Sequence, residues 1–181
     1  MTDDADRLYE RVLVLRCQAG DGAAFAELVG RYQPRLRYFL RKLLRAAPAA
    51  DDALQDVWLA VFRAAPRLAD AGAFRAWVYR IARDRALREL RGRRPPEPLA
   101  DLDPADDRDP DPFTPDDARR VHAALDELAP EHREVLVLRY VEGMNYEEIA
   151  PVVGSPVGTV RSRIHYAKRA LRAVLEKDGP R

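Results

Sequence analysis

The sequence predicts an all-α protein made of two small helical domains joined by a flexible acidic linker. Three observations carry that expectation. Apolar residues recur at helical spacing throughout, and no run alternates apolar and polar as a half-buried strand does. Between 94 and 115 the chain has prolines at 95, 96, 98, 104, 110 and 112, many aspartates and almost no apolar residues, so it cannot bury enough surface to fold. Charge is also sorted into blocks although the net charge is only +1. Residues 75–94 hold eight arginines against Asp84 and Glu89, residues 97–117 hold nine carboxylates against Arg108, and residues 159–177 hold six basic residues against Glu176. Two cationic surfaces separated by an anionic tether are expected from this segregation. The predicted domains are 1–94 and 115–181, with the linker over 95–114.

A first helix is predicted from Asp3 to Cys17, and Asp21 can cap a second that carries Phe25, Leu28 and Val29. Pro34 lacks a backbone donor, so it is expected to begin a third helix through Leu36, Phe39, Leu40, Leu43 and Leu44. Ala50-Asp51-Asp52 opens the next, with Leu54, Val57, Trp58, Val61 and Phe62 on its apolar face and Pro66 as its stop. Another starts near Ala73 and runs through Phe74, Trp77, Ile81 and Leu87 to about Arg91, with packing favoured over base stacking for Phe74, Trp77 and Ile81. Beyond the linker, Thr114-Pro115-Asp116-Asp117 reads as a helix start, and helices are predicted at about 115–128, 131–142, 146–153 and 156–175.

Composition excludes several classes of function. Cys17 is the only cysteine, so neither a disulfide framework nor a thiolate cluster is available, and His122, His132 and His165 lack ligand spacing. No nucleophile–base pair or phosphate loop appears, so the chain is not expected to be an enzyme, to hold a metal or cofactor, or to take a small-molecule substrate. Thr2, Asp3, Asp4 and Asp6 are the wrong chemistry for a signal peptide, and no apolar run approaches the roughly 20 residues that span a bilayer. A soluble, cytoplasmic protein without a membrane partner is expected.

The last two helices carry the clearest chemistry. Asn145 can cap the short helix of Tyr146, Ile149 and Ala150. Val153-Gly154-Ser155-Pro156 then makes a tight turn, in which glycine permits a left-handed backbone, serine caps and proline takes the first helical position. The following helix has Val157, Val160, Ile164, Ala167 and Leu171 as its core stripe. Arg161, Ser162, Arg163 and His165 lie off that stripe, followed by Lys168, Arg169 and Arg172. This is the helix-turn-helix plan, whose second helix enters the major groove N-terminus first. Arginine there bonds guanine bidentately, and the later cations neutralise phosphates.

Three segments resemble region 4 of bacterial sigma factors, most nearly the extracytoplasmic-function group of the sigma-70 family. They are Leu125-Asp126-Glu127-Leu128-Ala129-Pro130-Glu131-His132-Arg133-Glu134-Val135-Leu136, Tyr146-Glu147-Glu148-Ile149-Ala150 and Gly158-Thr159-Val160-Arg161-Ser162-Arg163. Pro151 departs from that pattern and is expected to kink or shorten its helix. In the first domain, Asp51-Asp52-Ala53-Leu54-Gln55-Asp56-Val57-Trp58-Leu59 resembles the sigma region 2 helix that docks on the polymerase β′ coiled coil. Asp51, Asp52, Gln55 and Asp56 are then the polymerase-binding residues. Acids placed for a helix dipole would account for Asp51 and Asp52, but not for Asp56. Phe74-Arg75-Ala76-Trp77-Val78-Tyr79-Arg80-Ile81-Ala82-Arg83 resembles the next sigma helix, which opens and holds the promoter near the start site. That resemblance places minus-ten contacts at Arg75, Arg80, Arg83, Asp84, Arg88 and Arg91. Asp84 stands where the family has asparagine, and an ionised carboxylate neither donates a hydrogen bond nor attracts phosphate.

The resemblance covers most of residues 23–94 and 118–175. It implies a sigma factor that binds core RNA polymerase (β′ coiled coil and β flap) and promoter DNA, directs promoter-specific initiation, and has an anti-sigma partner. Upstream-element contacts are implied at Thr159, Arg161, Ser162, Arg163, His165 and Lys168. The competing reading is a dimeric helix-turn-helix operator-binding regulator, of the LuxR kind among others, which works without polymerase on a palindromic site.

Overall fold

The computed structural model describes residues 2–91 and 115–177, so the predicted linker at 95–114 lies outside the described residues. Every regular element among them is helical: α1 (Thr2–Gln18), α2 (Gly22–Leu44), α3 (Ala47–Ala64), α4 (Phe74–Arg91), α5 (Pro115–Glu127), α6 (Pro130–Leu136), a π-helical turn (Val137–Val141), α7 (Tyr146–Val153) and α8 (Val157–Lys177), with 3-10 turns at Ala65–Arg67 and Ala71–Ala73. Two compact units result. One contains α1 to α4; the other contains α5, α6, α8 and the start of α7.

In the first unit α2 is the central element, and its buried stripe of Leu28, Tyr32, Leu36, Phe39 and Leu40 packs against α1, α3 and α4. Pro34 does not begin a helix as expected: α2 runs through it without interruption. Proline in a helix interior removes one hydrogen bond and crowds the carbonyl four residues back, costing about 3 kcal/mol. Here both Pro34 and Gly30 are exposed, so that carbonyl faces water, while the buried residues on either side hold the helix together. Asp21 caps α2 as expected, accepting from the backbone N–H of Ala23 at 2.9 Å and of Ala24 at 3.1 Å. The Ala24 N–H and the Arg16 guanidinium hold its carboxyl below the usual range.

The third helix begins earlier than Ala50, with Pro48 in its first turn, so Asp51 and Asp52 lie a turn inside it rather than at its start. Its core face is Ala50, Leu54, Val57 and Val61, whereas Phe62, expected in the apolar face, is 63% exposed with its ring edge-on to Phe25 at 5.3 Å. On α4 the buried stripe is Phe74, Val78, Ala82 and Ala86 with Tyr79; Trp77 and Ile81 are half-buried at its margin. The Tyr32–Phe74 and Phe39–Tyr79 ring pairs, at 5.4 and 5.3 Å, join α2 to α4 edge to face. Tyr32 donates its hydroxyl to Glu10, and burial with that carboxylate pushes its pKa well up. The Gln18 amide donates to the carbonyls of Ala65 and Leu68 at 3.1 and 2.7 Å, tying α1 to the turn after α3.

In the second unit the buried Arg133 is a cap built from the side: it donates to the carbonyls of Leu125, Asp126 and Leu128 at 2.8, 3.1 and 2.7 Å. Leu125 and Asp126 belong to the last turn of α5 and Leu128 follows it, where carbonyls run out of partners along the helix. The helix expected over 131–142 changes character after Leu136, where the Glu142 N–H reaches back five residues to the Val137 carbonyl at 2.9 Å. Such π turns carry one extra residue and turn the neighbouring side chains to a new direction. A capping box starts α7: Asn145 Oδ1 accepts from the Glu148 N–H and Glu148 Oε2 from the Asn145 N–H, both at 2.8 Å. The helix then passes through Pro151, which is exposed. Gly154 adopts φ 64°, the left-handed backbone expected of it, and Pro156 sits just ahead of α8, its carbonyl accepting from Val160.

Candidate nucleic-acid interface

Helix α8 seats itself through Val160, Ile164 and Ala167, all buried, with Val157 and Leu171 half-buried beside them. That fixes which side faces out. Thr159, Arg161, Ser162, His165 and Lys168 are exposed, and Arg163 is half-buried. Ser162 donates its hydroxyl to the Thr159 carbonyl at 3.0 Å. Arg163 lies close enough to His132 to help burial hold that imidazole below its ordinary pKa, against the opposing pull of Glu131. The Arg161 guanidinium lies over the Tyr146 ring, 5.7 Å from its centroid, and Arg139 lies over the same ring at 5.2 Å. Spacing alone could not foretell that contact, because Tyr146 sits on the preceding helix.

A second cationic face is on α4. Arg80, Asp84, Arg88 and Arg91 recur at helical spacing and are all exposed, with Arg83 half-buried at their edge. Arg75 is set apart from them, half-buried and close to Tyr32. The carboxylate of Asp84 thus sits within the basic row.

On α3 the exposed strip contains Asp52, Gln55 and Asp56, as the helical spacing implies. Asp51 is also exposed but turned towards α2, where Arg37 and Arg41 lie 3.0 and 3.8 Å from its carboxylate. Asp56 is 3.4 Å from Arg85 of α4. The same strip continues into Leu59, 50% exposed, and Phe62. Sequence reasoning missed this apolar half, although positions 52, 55, 56, 59 and 62 share one helical face. It also missed an apolar groove of about 470 Å³ in the second unit, lined among others by Leu125, Leu136, Tyr140, Val141, Leu171 and Leu175. Tyr140 and Val141 reach its rim from the π turn, which a regular helical projection does not anticipate.

Comparison with known proteins agrees with this geometry. The family model for Sigma-70 region 2 matches residues 28–95, and that for Sigma-70 region 4 matches residues 118–171. The chain is 35% identical to the RNA polymerase sigma-H factor of Pseudomonas aeruginosa, covering 92% of this chain and 94% of that protein. It belongs to the extracytoplasmic-function RNA polymerase sigma factors. The sigma-E factor of Escherichia coli is 34% identical over the same shares of the two chains. Among solved structures, CnrH in complex with the cytosolic domain of CnrY matches with a TM-score of 0.71 and 28% identity, over 94% of this chain and 99% of that one. The fold is also that of the sigma factor RpoE bound to the anti-sigma factor NepR from Bartonella quintana, with a TM-score of 0.67 and 24% identity over 86% and 98%.

As a sigma factor the chain binds RNA polymerase and directs initiation at promoters, and the competing reading as a dimeric operator-binding regulator gives way. The region 2 match decides this, because a regulator with only a helix-turn-helix has no use for α2 to α4. Among the described residues no group of three or more His, Cys, Asp and Glu side chains is placed to hold a metal ion. No described helix is long and apolar enough to cross a membrane.

Proposed function

We propose that this sigma factor divides its work among three surfaces. The α3 strip of Asp52, Gln55 and Asp56, with Asp51 at its edge and Leu59 and Phe62 continuing it, docks on the β′ coiled coil of core polymerase. The exposed basic face of α4, Arg80, Arg88 and Arg91, with half-buried Arg83 at its edge, takes the backbone of the displaced strand at the minus-ten element. Arg75 reaches that strand only from the margin of the face, and Asp84 contributes no phosphate contact there. The first turns of α8 enter the major groove at the upstream element. Arg161 reads a base with Thr159, Ser162 and His165 beside it, while Arg163 and Lys168 grip phosphates.

Domain boundaries at 1–94 and 115–181, with an acidic linker over 95–114, suit this division, because two separate promoter elements must be reached at once. The groove rimmed by Tyr140 and Val141 suits an apolar segment of the β flap. An anti-sigma factor is a fitting regulator, since two structural relatives are known in complex with partner proteins, one of them an anti-sigma factor. The protein works in the cytoplasm, without a cofactor or substrate of its own; polymerase performs the chemistry.

What supports this reading most is the exposure of one acidic and two basic helix faces within a chain that carries both sigma regions. The test is reconstitution. Core polymerase mixed with the full chain is expected to initiate at discrete sites on a genomic DNA library where core alone does not. Sedimentation as a dimer that binds palindromes without polymerase, and no gain in initiation, would refute it.

A further inference from the structure

An arginine on the first turns of a recognition helix has several rotatable bonds, and holding its guanidinium in one place costs side-chain entropy. Arg161 is constrained. Its guanidinium carbon lies 5.7 Å from the centroid of the Tyr146 ring, within the range of a cation–π contact. The ring is itself anchored. Arg139, on the π turn, lies over it at 5.2 Å and donates Nη1–H to the Met144 carbonyl at 2.9 Å. The chain of contacts therefore runs from a backbone carbonyl, through Arg139 and Tyr146, to the arginine that faces DNA.

We propose that Tyr146 is a positioning residue for promoter discrimination: its ring seats the Arg161 guanidinium, and Arg139 seats the ring. This deepens the function proposed above and rests on its assignment of Arg161 as the base reader. The ring contact takes up no hydrogen-bond acceptor, so the guanidinium keeps its N–H donors for other partners. A seated Arg161 therefore keeps the paired donors that fit the O6 and N7 acceptors of guanine. It gives up the freedom to swing onto the sugar–phosphate backbone, where it would bind every sequence alike. Tyr146 then sharpens the reading of one base pair through Arg161, whether or not its own ring touches DNA.

The experiment uses holoenzyme made from core polymerase and the full chain. The probe is a promoter library randomised across the upstream element and constant elsewhere, with base frequencies counted in the bound fraction. Arg161→Ala is expected to reduce the preference at one position about tenfold, the size of one bidentate base contact. Tyr146→Leu should flatten the same position comparably, Tyr146→Phe should keep the preference because the ring face remains, and the double variant should be no flatter than Arg161→Ala alone. If Tyr146→Leu weakens binding to all library members equally and leaves that preference intact, or if Tyr146→Phe is as flat as Tyr146→Leu, the positioning role is overturned while the Arg161 assignment stands. If Arg161→Ala leaves every preference unchanged, the assignment itself fails and this inference goes with it. Should Tyr146→Leu not fold, the unsubstituted protein still decides: the Arg161 δ protons are expected to show an upfield ring-current shift by NMR, and ordinary shifts for them would overturn the proposal.

Discussion

Helices α3 and α8 both present charged faces, yet they hold their charges in different ways. On α3, Asp51 is paired with Arg37 and Arg41 of α2, and Asp56 with Arg85 of α4. Each pairing offsets part of the negative charge seen from outside. On α8, Arg161 rests on an aromatic ring, and no described carboxylate is paired with Arg161, Arg163 or Lys168. A ring fixes direction without cancelling charge. The difference suits the partners proposed for the two faces. A surface that docks on protein gains from partly neutralised charge, because desolvating a full charge is costly, and Leu59 and Phe62 add apolar area beside it. A surface that docks on DNA gains from every uncancelled cation, because each phosphate it neutralises releases a counterion.

The largest expected effect tests whether the strip of Asp52 and Asp56 differs from the edge carboxylate Asp51, which two arginines of α2 hold. Asp52→Lys with Asp56→Lys should weaken binding to core polymerase more than tenfold in a pull-down titration. Asp51→Asn should change that affinity little, and should cost about 0–1 kcal/mol of stability by removing exposed ion pairs. Equal losses of affinity from Asp51→Asn and from the double reversal would break the comparison.

A smaller effect sharpens the α8 side. Lys168→Ala should weaken holoenzyme binding to all upstream sequences alike and lower the salt-dependence slope by about one unit, as expected for one lost phosphate contact. A change confined to particular sequences would turn Lys168 into a base reader and leave the seated Arg161 without its special status.

The smallest effect concerns His132, which faces Arg163 and Glu131. Its folded pKa lies below the ordinary imidazole value, so near and below a pH of about 6.5 the unfolded chain binds more protons than the folded one. Stability at this site is complete above that pH and declines as the pH falls. Thermal melts of the full chain at successive pH values should show a shallow acid-side loss that is reduced in His132→Gln. An identical slope in the variant would assign the acid sensitivity to other groups.

Local rules act within a few residues, and they made the helical class, the Asp21 cap, the Asn145 cap, the left-handed Gly154 and the outward side of α8 legible from sequence. Periodicity also separated the α8 core stripe from its outward residues, because that helix is buried along one side only. The exposed continuation of α3 into Leu59 and Phe62 was equally present in the spacing, but apolar character argued for the core. Only tertiary structure decided the rest. Packing of α2 against three neighbours carries it through Pro34, where the local rule demands a break. Asp51 is claimed by arginines ten and fourteen positions away in sequence. The π turn brings Tyr140 and Val141 to the groove, and the meeting of α7 and α8 puts Tyr146 under Arg161. These outcomes depend on which helices become neighbours, and that is settled by burying all the apolar stripes at once rather than by the preferences of any one of them.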